Sequence, residues 1–328
     1  MAFKETALLI LTTYFVIQIV SLIYNYLIYR NSEDYSKKER LLVVVAHQDD
    51  EIIVSGGLMH KTIMKGGEIM VVYVADGITR TDELKKEQVE KLIKNRELES
   101  LSSLKNFKIK KENILFLRNE NEESLKKPEN VIKLINTLTK IINKYKPGRI
   151  TTCAYEGGHS DHDATNYAVA RASEKAGISL NNVLESPEYN NYYIRESILK
   201  RLNFFMIIKF NVAPRFIKGN RKSMYLRMDR DEMKLKRVAF ERFKSQEPKS
   251  LMKRFLFPDS ARIIENYKYE IGPFNPDKVF RSKLCKLIKG PKRCKPFFCG
   301  MTYEDYLNLY GYLEKHFNKT GGNKQKNN

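Results

Sequence analysis

Cysteine is scarce. The four in 328 residues, Cys153, Cys285, Cys294 and Cys299, are too few and too unevenly placed for a disulfide scaffold. Cys294 and Cys299 with Cys285 suggest half a zinc knot, but no nearby histidine or fourth cysteine completes it, so they read as a basic loop carrying thiols. Acidic charge is also short: 39 Asp and Glu stand against 59 Lys and Arg, a net charge of +20. That balance bears on association with anionic partners or surfaces, not on fold. No recognition motif or aromatic-interleaved platform accompanies it, so no nucleic-acid partner is expected. There is no internal repeat, and the length allows one large α/β domain with additions. Histidine is the informative shortage. Of five in the chain, His60 and His316 stand alone on helix-like segments and read as ordinary packed or solvated side chains. His47, His159 and His162 fall in two short clusters.

At the N-terminus, Thr6 to Tyr29 is uncharged and mostly apolar. As a helix rising about 1.5 Å per residue it is long enough for a hydrocarbon core of about 30 Å. A cleaved signal peptide fits less well, since its apolar stretch is shorter and ends in a small-x-small site. The expectation is a single transmembrane anchor over residues 1–30 and a linker over 31–40. Flanking basic charge is heavier after the run, at Arg30, Lys37, Lys38 and Arg40. The positive-inside rule then puts the rest of the chain on the cytoplasmic side.

The linker leads into Leu41–Ala46, a β-branched run of the kind found in buried parallel strands. Helical spacing follows from Glu51 to about Lys65, then a second buried strand over Glu68–Ala75. Further elements are expected at Asp82–Leu104 (helix), Ile114–Leu117 (strand), Pro128–Tyr145 (helix, proline in its first turn), Ile150–Cys153 (strand) and Ala164–Ala176 (helix). This alternation predicts βαβ units: an α/β fold with a Rossmann-like, mostly parallel sheet and helices on both faces. The catalytic core is expected over 41–193. From about Glu185 the rhythm breaks into a basic C-terminal extension, 194–317, packing on the core, with helices at Met228–Phe243 and Tyr303–Phe317. A polar tail from Asn318 reads as disordered.

The first strand ends in His47-Gln48-Asp49-Asp50-Glu51 and the strand before the second cluster leads into Gly157-Gly158-His159-Ser160-Asp161-His162-Asp163. Open α/β sheets bind ligands just beyond the carboxyl ends of their strands. Adjacent carboxylates beside an imidazole repel unless a cation or shared proton compensates, and a metal is the simplest compensation. A catalytic zinc takes three protein ligands and keeps one open position. His47, Asp50 and His162 are the ligands available, and a metal-activated water supplies the nucleophile at neutral pH. Asp49 suits the general base. His159 suits oxyanion stabilisation or protonation of the leaving group, with Asp161 holding its imidazole. These residues alone do not separate ester, amide and phosphoester substrates.

The two clusters resemble the PIG-L/LmbE family of metal-dependent de-N-acetylases. The likeness runs from Leu41 to about Asn191, including the Tyr73–Gly77 strand end, the Asn95–Glu99 helix segment and Glu185–Tyr189, and more faintly Lys234–Gln246. Gln48 stands where the family most often has proline, a position that donates no ligand. The resemblance implies His47, Asp50 and His162 as metal ligands, Asp49 as base, His159 as electrostatic or acid residue and Asp161 as its partner. It implies removal of acetyl from an N-acetylglucosamine-type amide, with Zn2+ the usual metal and Fe2+ the alternative. The expected substrate is an N-acetylated amino sugar, lipid- or glycan-linked in view of the anchor and the charge, with a soluble GlcNAc conjugate as the nearest variant.

Competing readings stay beside these. Arg80 and Arg96 suit either an anionic substrate group or, respectively, solvent and an internal ion pair. Phe204–Ile208 with Lys209, Arg215, Lys218, Arg221 and Lys222 suits either an interfacial anchor meeting anionic lipid or a buried strand and a solvated loop. A membrane-tethered sugar-binding protein that kept the fold without the reaction is the rival from another class. A phosphoesterase would most often need ligands for a second metal.

Overall fold

The computed structural model describes residues 2–121, 124–155, 159–188, 221–246, 259–264 and 303–321. Tyr189–Tyr193, Phe204–Ile208, Lys209, Arg215, Lys218, Cys285, Cys294 and Cys299 lie outside them.

Five parallel strands form the centre: β1 (Arg40–Val45), β2 (Glu68–Ala75), β3 (Ile114–Asn119), β4 (Arg149–Cys153) and β5 (Val183–Ser186). Two short strands, β6 (Met224–Tyr225) and β7 (Ser260–Ile263), extend the sheet in the order β3-β2-β1-β4-β5-β7-β6. β7 runs antiparallel to β5, and β6 antiparallel to β7. The sheet is therefore mostly parallel but mixed.

The helices are α1 (Ala2–Arg30), α2 (Asp50–Met64), α3 (Lys86–Lys105), α4 (Pro128–Tyr145), α5 (Ser160–Lys175), α6 (Arg230–Phe240) and α7 (Tyr303–Gly321), numbered among the described residues. Alternation along the strands divides the core in two. Leu41, Val43, Val45, Val71 and Tyr73 pack with Ile52, Leu58, Leu104 and Phe240 on one face. Leu42, Val44, Val72 and Val74 pack with Leu134, Leu138, Tyr167 and Leu313 on the other. Because both faces are covered, the strands read as unbroken apolar runs.

Local signals explain most boundaries. Pro128 opens α4, and Lys146 closes it in the left-handed region at φ 50°. Asp229 and Glu232 form a reciprocal cap at the start of α6. Three expectations need correcting. α5 begins at Ser160, four residues before its expected start, and so carries His162 within its first turn. α3 begins at Lys86, after the expected Asp82, and the Gln88 side chain accepts the Lys85 backbone N–H at its start. α7 continues to Gly321, past the expected start of the tail.

The N-terminal run is one helix, as expected. Among the described residues, however, no helix is long and apolar enough to cross a membrane, so the expected transmembrane anchor finds no support there. The large side chains of Leu8, Leu9, Leu11, Phe15, Val16, Ile19 and Ile23 stand exposed along it. The segment after it is a docked strap. Glu33 bridges Leu226 in strand fashion, Arg227 donates to the Ser32 carbonyl and Lys65 meets Asp34.

Candidate metal centre

The strand order reverses between β1 and β4. At such a switch point the two crossovers leave in opposite directions and open a crevice beyond the strand ends. β1 feeds α2 through residues 46–49 and β4 feeds α5 through residues 154–159, so both histidine clusters arrive at this crevice.

Three donor atoms form a tight triangle there. His47 Nδ1 lies 3.2 Å from His162 Nε2 and 3.5 Å from Asp50 Oδ2, and His162 Nε2 lies 3.3 Å from Asp50 Oδ2. A tetrahedral ion with bonds of about 2.0–2.1 Å spans edges of about 3.3–3.4 Å between its ligands. The triangle already has that size, and all three residues are buried. These donors fit a single zinc-sized ion.

Each imidazole also has a carboxylate towards its other nitrogen, the arrangement that orients metal-bound histidines. Asp161 Oδ2 is 3.2 Å from His47 Nε2. Glu188 Oε2 is 3.8 Å from His162 Nδ1, too long for a direct hydrogen bond. The expected link between the Asp161 side chain and His159 takes another form: the Asp161 backbone N–H donates to His159 Nδ1 at 3.3 Å, while the carboxylate meets His47.

Asp49 and His159 occupy equivalent places, the N-caps of α2 and α5. His159 caps its helix through Nδ1. Asp49 makes no capping hydrogen bond and adopts φ 117°, a conformation rarely open to side chains other than glycine. Neighbours hold it there. Glu51 Oε2 accepts its backbone N–H at 3.0 Å, and Arg96 Nη2 lies 3.6 Å from Asp49 Oδ1. Arg96 also donates to the carbonyls of Gln48 and Gly77, joining the loops after β1 and β2. Gly77 sits at φ 72°, and an added Cβ would come within 2.7 Å of the guanidinium carbon.

The electrostatics follow from this packing. Burial pulls the His47 imidazole down, but the carboxylates of Asp161 and Asp50 outweigh it and carry it up to about 10. Asp50 is held far below the usual carboxylate range, its burial overcome by His162 and His47. Burial, then the adjacent Asp49 charge, pushes Glu51 up to about 8. Burial and the two neighbouring imidazoles press His159 well below the ordinary histidine value.

All six sequence-predicted residues thus lie in one crevice. Arg80 pairs with Asp76 and Glu120. Arg96 makes the internal contact. His60 and His316 lie elsewhere, the latter packed on Tyr312 and Phe317. Sequence reasoning missed Glu188, the holding role of Glu51, and Cys153, whose Sγ is 3.9 Å from Asp50 Oδ2. The signal for Cys153 was its place as the last residue of a strand on the ligand edge.

Comparisons with known proteins give a family match and likenesses of fold. Residues 42–173, less than half of the chain, match the model of the GlcNAc-PI de-N-acetylase family, PIG-L. No curated protein matches the chain. Among solved structures, a triple mutant of a deacetylase of teicoplanin biosynthesis superposes with a TM-score of 0.52 at 16% identity, covering 68% of this chain and 96% of that one. N,N'-diacetylchitobiose deacetylase from Pyrococcus horikoshii gives a TM-score of 0.46 at 21% identity, covering 72% and 88%. The first of these likenesses supports the fold alone, and the family match supports the chemistry. Residues 42–173 thus carry a match to the PIG-L family of de-N-acetylases, and the donors brought together there fit zinc.

Proposed function

We propose that the chain hydrolyses the N-acetyl amide of a GlcNAc-type amino sugar at this crevice, the acetyl group leaving as acetate and the sugar as its free amine. The observation that carries the reading is the triangle of His47, Asp50 and His162, whose sides of 3.2, 3.3 and 3.5 Å match a tetrahedral ion. These three residues would hold Zn2+, with Fe2+ the alternative occupant. When bound, the ion would supply Lewis-acid polarisation and a water acidified toward neutrality.

The chain's own residues do the rest. Asp49, adjacent to a ligand and fixed by Glu51 and Arg96, takes a proton from the attacking water and returns it to the departing nitrogen. His159 accepts the Asp161 N–H at Nδ1, which leaves its proton on Nε2 as a donor for the carbonyl oxygen as charge develops there. Asp161 keeps the His47 ring and tautomer in place.

The acceptor of the sugar is proposed to be lipid- or glycan-linked, and α1 to bring the domain to a membrane with the catalytic part on the cytoplasmic side. Two features support this: the uncharged run Thr6–Tyr29 and the row of exposed apolar side chains on α1, a surface of the kind that marks membrane or protein contact. Anionic lipid suits the net charge of +20.

The test is acetate release by the detergent-solubilised, zinc-loaded full chain. The panel is GlcNAc-phosphatidylinositol, polyprenyl-linked GlcNAc, chitooligosaccharides and soluble GlcNAc conjugates. Release by wild type, lost in both Asp49→Ala and His162→Ala, is expected, with lipid-linked sugars ranking first. Release unchanged in Asp49→Ala would remove its role. Flotation of the full chain with anionic vesicles, lost on deletion of residues 1–30, is the membrane result. Equal flotation without α1 would refute it.

A further inference from the structure

One buried donor beside the centre has no part in that reaction. Cys153 closes β4, is 1% exposed and is the one cysteine among the described residues. Its Sγ lies 3.9 Å from Asp50 Oδ2, and ligand atoms of Asp50, Cys153 and His162 all lie within 4.8 Å of one another. With a metal–sulfur bond of about 2.3 Å and a metal–oxygen bond of about 2.1 Å, a tetrahedral edge measures about 3.6 Å. The Cys153–Asp50 edge is therefore within a few tenths of an ångström of that size, and Cys153 lies within 4.8 Å of the His162 ligand atom.

We propose that Asp50, Cys153 and His162 form a second donor set that shares two ligands with the first and takes thiophilic divalent ions such as Cd2+. The thiol releases its proton to solvent as the metal–sulfur bond forms. Thiolate favours soft ions, whereas the His47 set, all nitrogen and oxygen, has no such preference. His47 is left out of the sulfur set, and the ion it holds is displaced from the catalytic arrangement. Thiophilic ions then act as inhibitors that compete with the productive metal.

The inference rests on the reading of the crevice as a metal centre, and the test separates the two. Metal-free full chain carrying Cys285→Ser, Cys294→Ser and Cys299→Ser keeps Cys153 as its one thiol. It is titrated with Cd2+ while the sulfur-to-cadmium charge-transfer absorption is followed, and the bound ion is counted. One Cd2+ per chain with the sulfur band is expected. The band should persist when His47→Ala is added and vanish when Cys153→Ser is added, and that variant should still bind Co2+ through nitrogen and oxygen. Bound Cd2+ with no sulfur band in the background protein overturns the Cys153 set and leaves the metal centre standing. No ion bound by folded protein overturns both. The decisive band is read before Cys153 is altered, so misfolding of Cys153→Ser does not decide the outcome.

Discussion

Asp49 carries a backbone conformation that its side chain disfavours. At φ 117° a residue with a Cβ bears strain on the order of 1–3 kcal/mol, the kind of cost that concentrates at functional sites. Asp49→Gly is therefore expected to raise the stability of the metal-free protein by about 1 kcal/mol or more over Asp49→Ala, while both lose acetate release. Urea unfolding with chelator present checks the first part. Asp161 gives a different signature. Its carboxylate meets His47 Nε2, so Asp161→Ala should weaken zinc binding by about ten- to a hundredfold, read by competition with a coloured chelator. An Asp161 that served only His159 would leave zinc affinity unchanged. The ligand candidates were legible in the sequence because histidine is rare and clustered. Their carboxylate partners were not, because the choice between His47 and His159 for Asp161 depends on where two separate crossovers meet.

Between elements, the legible and the hidden divide by how apolar burial is spelled out. β1 and β2 announce themselves as apolar runs rich in β-branched residues. α5 hides its start, because Asp161, His162 and Asp163 are buried although polar, and a hydrophobic period cannot register them. β6 and β7 are two and four residues long, too short for any period. What fastens β7 is a charge pair. Arg262 Nε donates to Glu185 Oε1 at 2.6 Å across paired positions of β7 and β5, and both residues are fully buried. Asn166 donates to the other oxygen of Glu185. Removing one partner strands the other charge, so Arg262→Ala is expected to cost about 3–5 kcal/mol. The pair Arg262→Leu with Glu185→Met should recover most of that loss in a thermal unfolding series. Full additivity of the two single losses would contradict the coupling.

Taken whole, the molecule is closed by segments far from the family-matched region. α7 lays Leu309, Tyr310 and Leu313 into the layer that holds α4 and α5, and Glu314 pairs with both Arg171 and Tyr167. A chain ending at residue 302 would bare that layer, Tyr167 included. It is expected to melt several degrees lower and to bind an apolar dye, as calorimetry and dye fluorescence would read. On the opposite face, Lys236 of α6 reaches Asp259 and the Ile53 carbonyl, while Asp259 accepts the Leu58 N–H of α2. The C-terminal elements thus grip the helix that begins with Asp50. The sequence offered two helical segments and an extension expected to pack on the core, but not these partners, because the contacts join positions separated by up to 201 residues.

The switch-point position of the centre also bears on when it can exist. His47 and His162 are 115 residues apart in sequence, and β1 and β4, the strands that lead to them, become neighbours only when both halves of the sheet have joined. A chain emerging during synthesis holds His47 and Asp50 early but has no site until β4 and the first turn of α5 arrive. Metal loading is therefore a late, post-assembly event that traps the completed sheet.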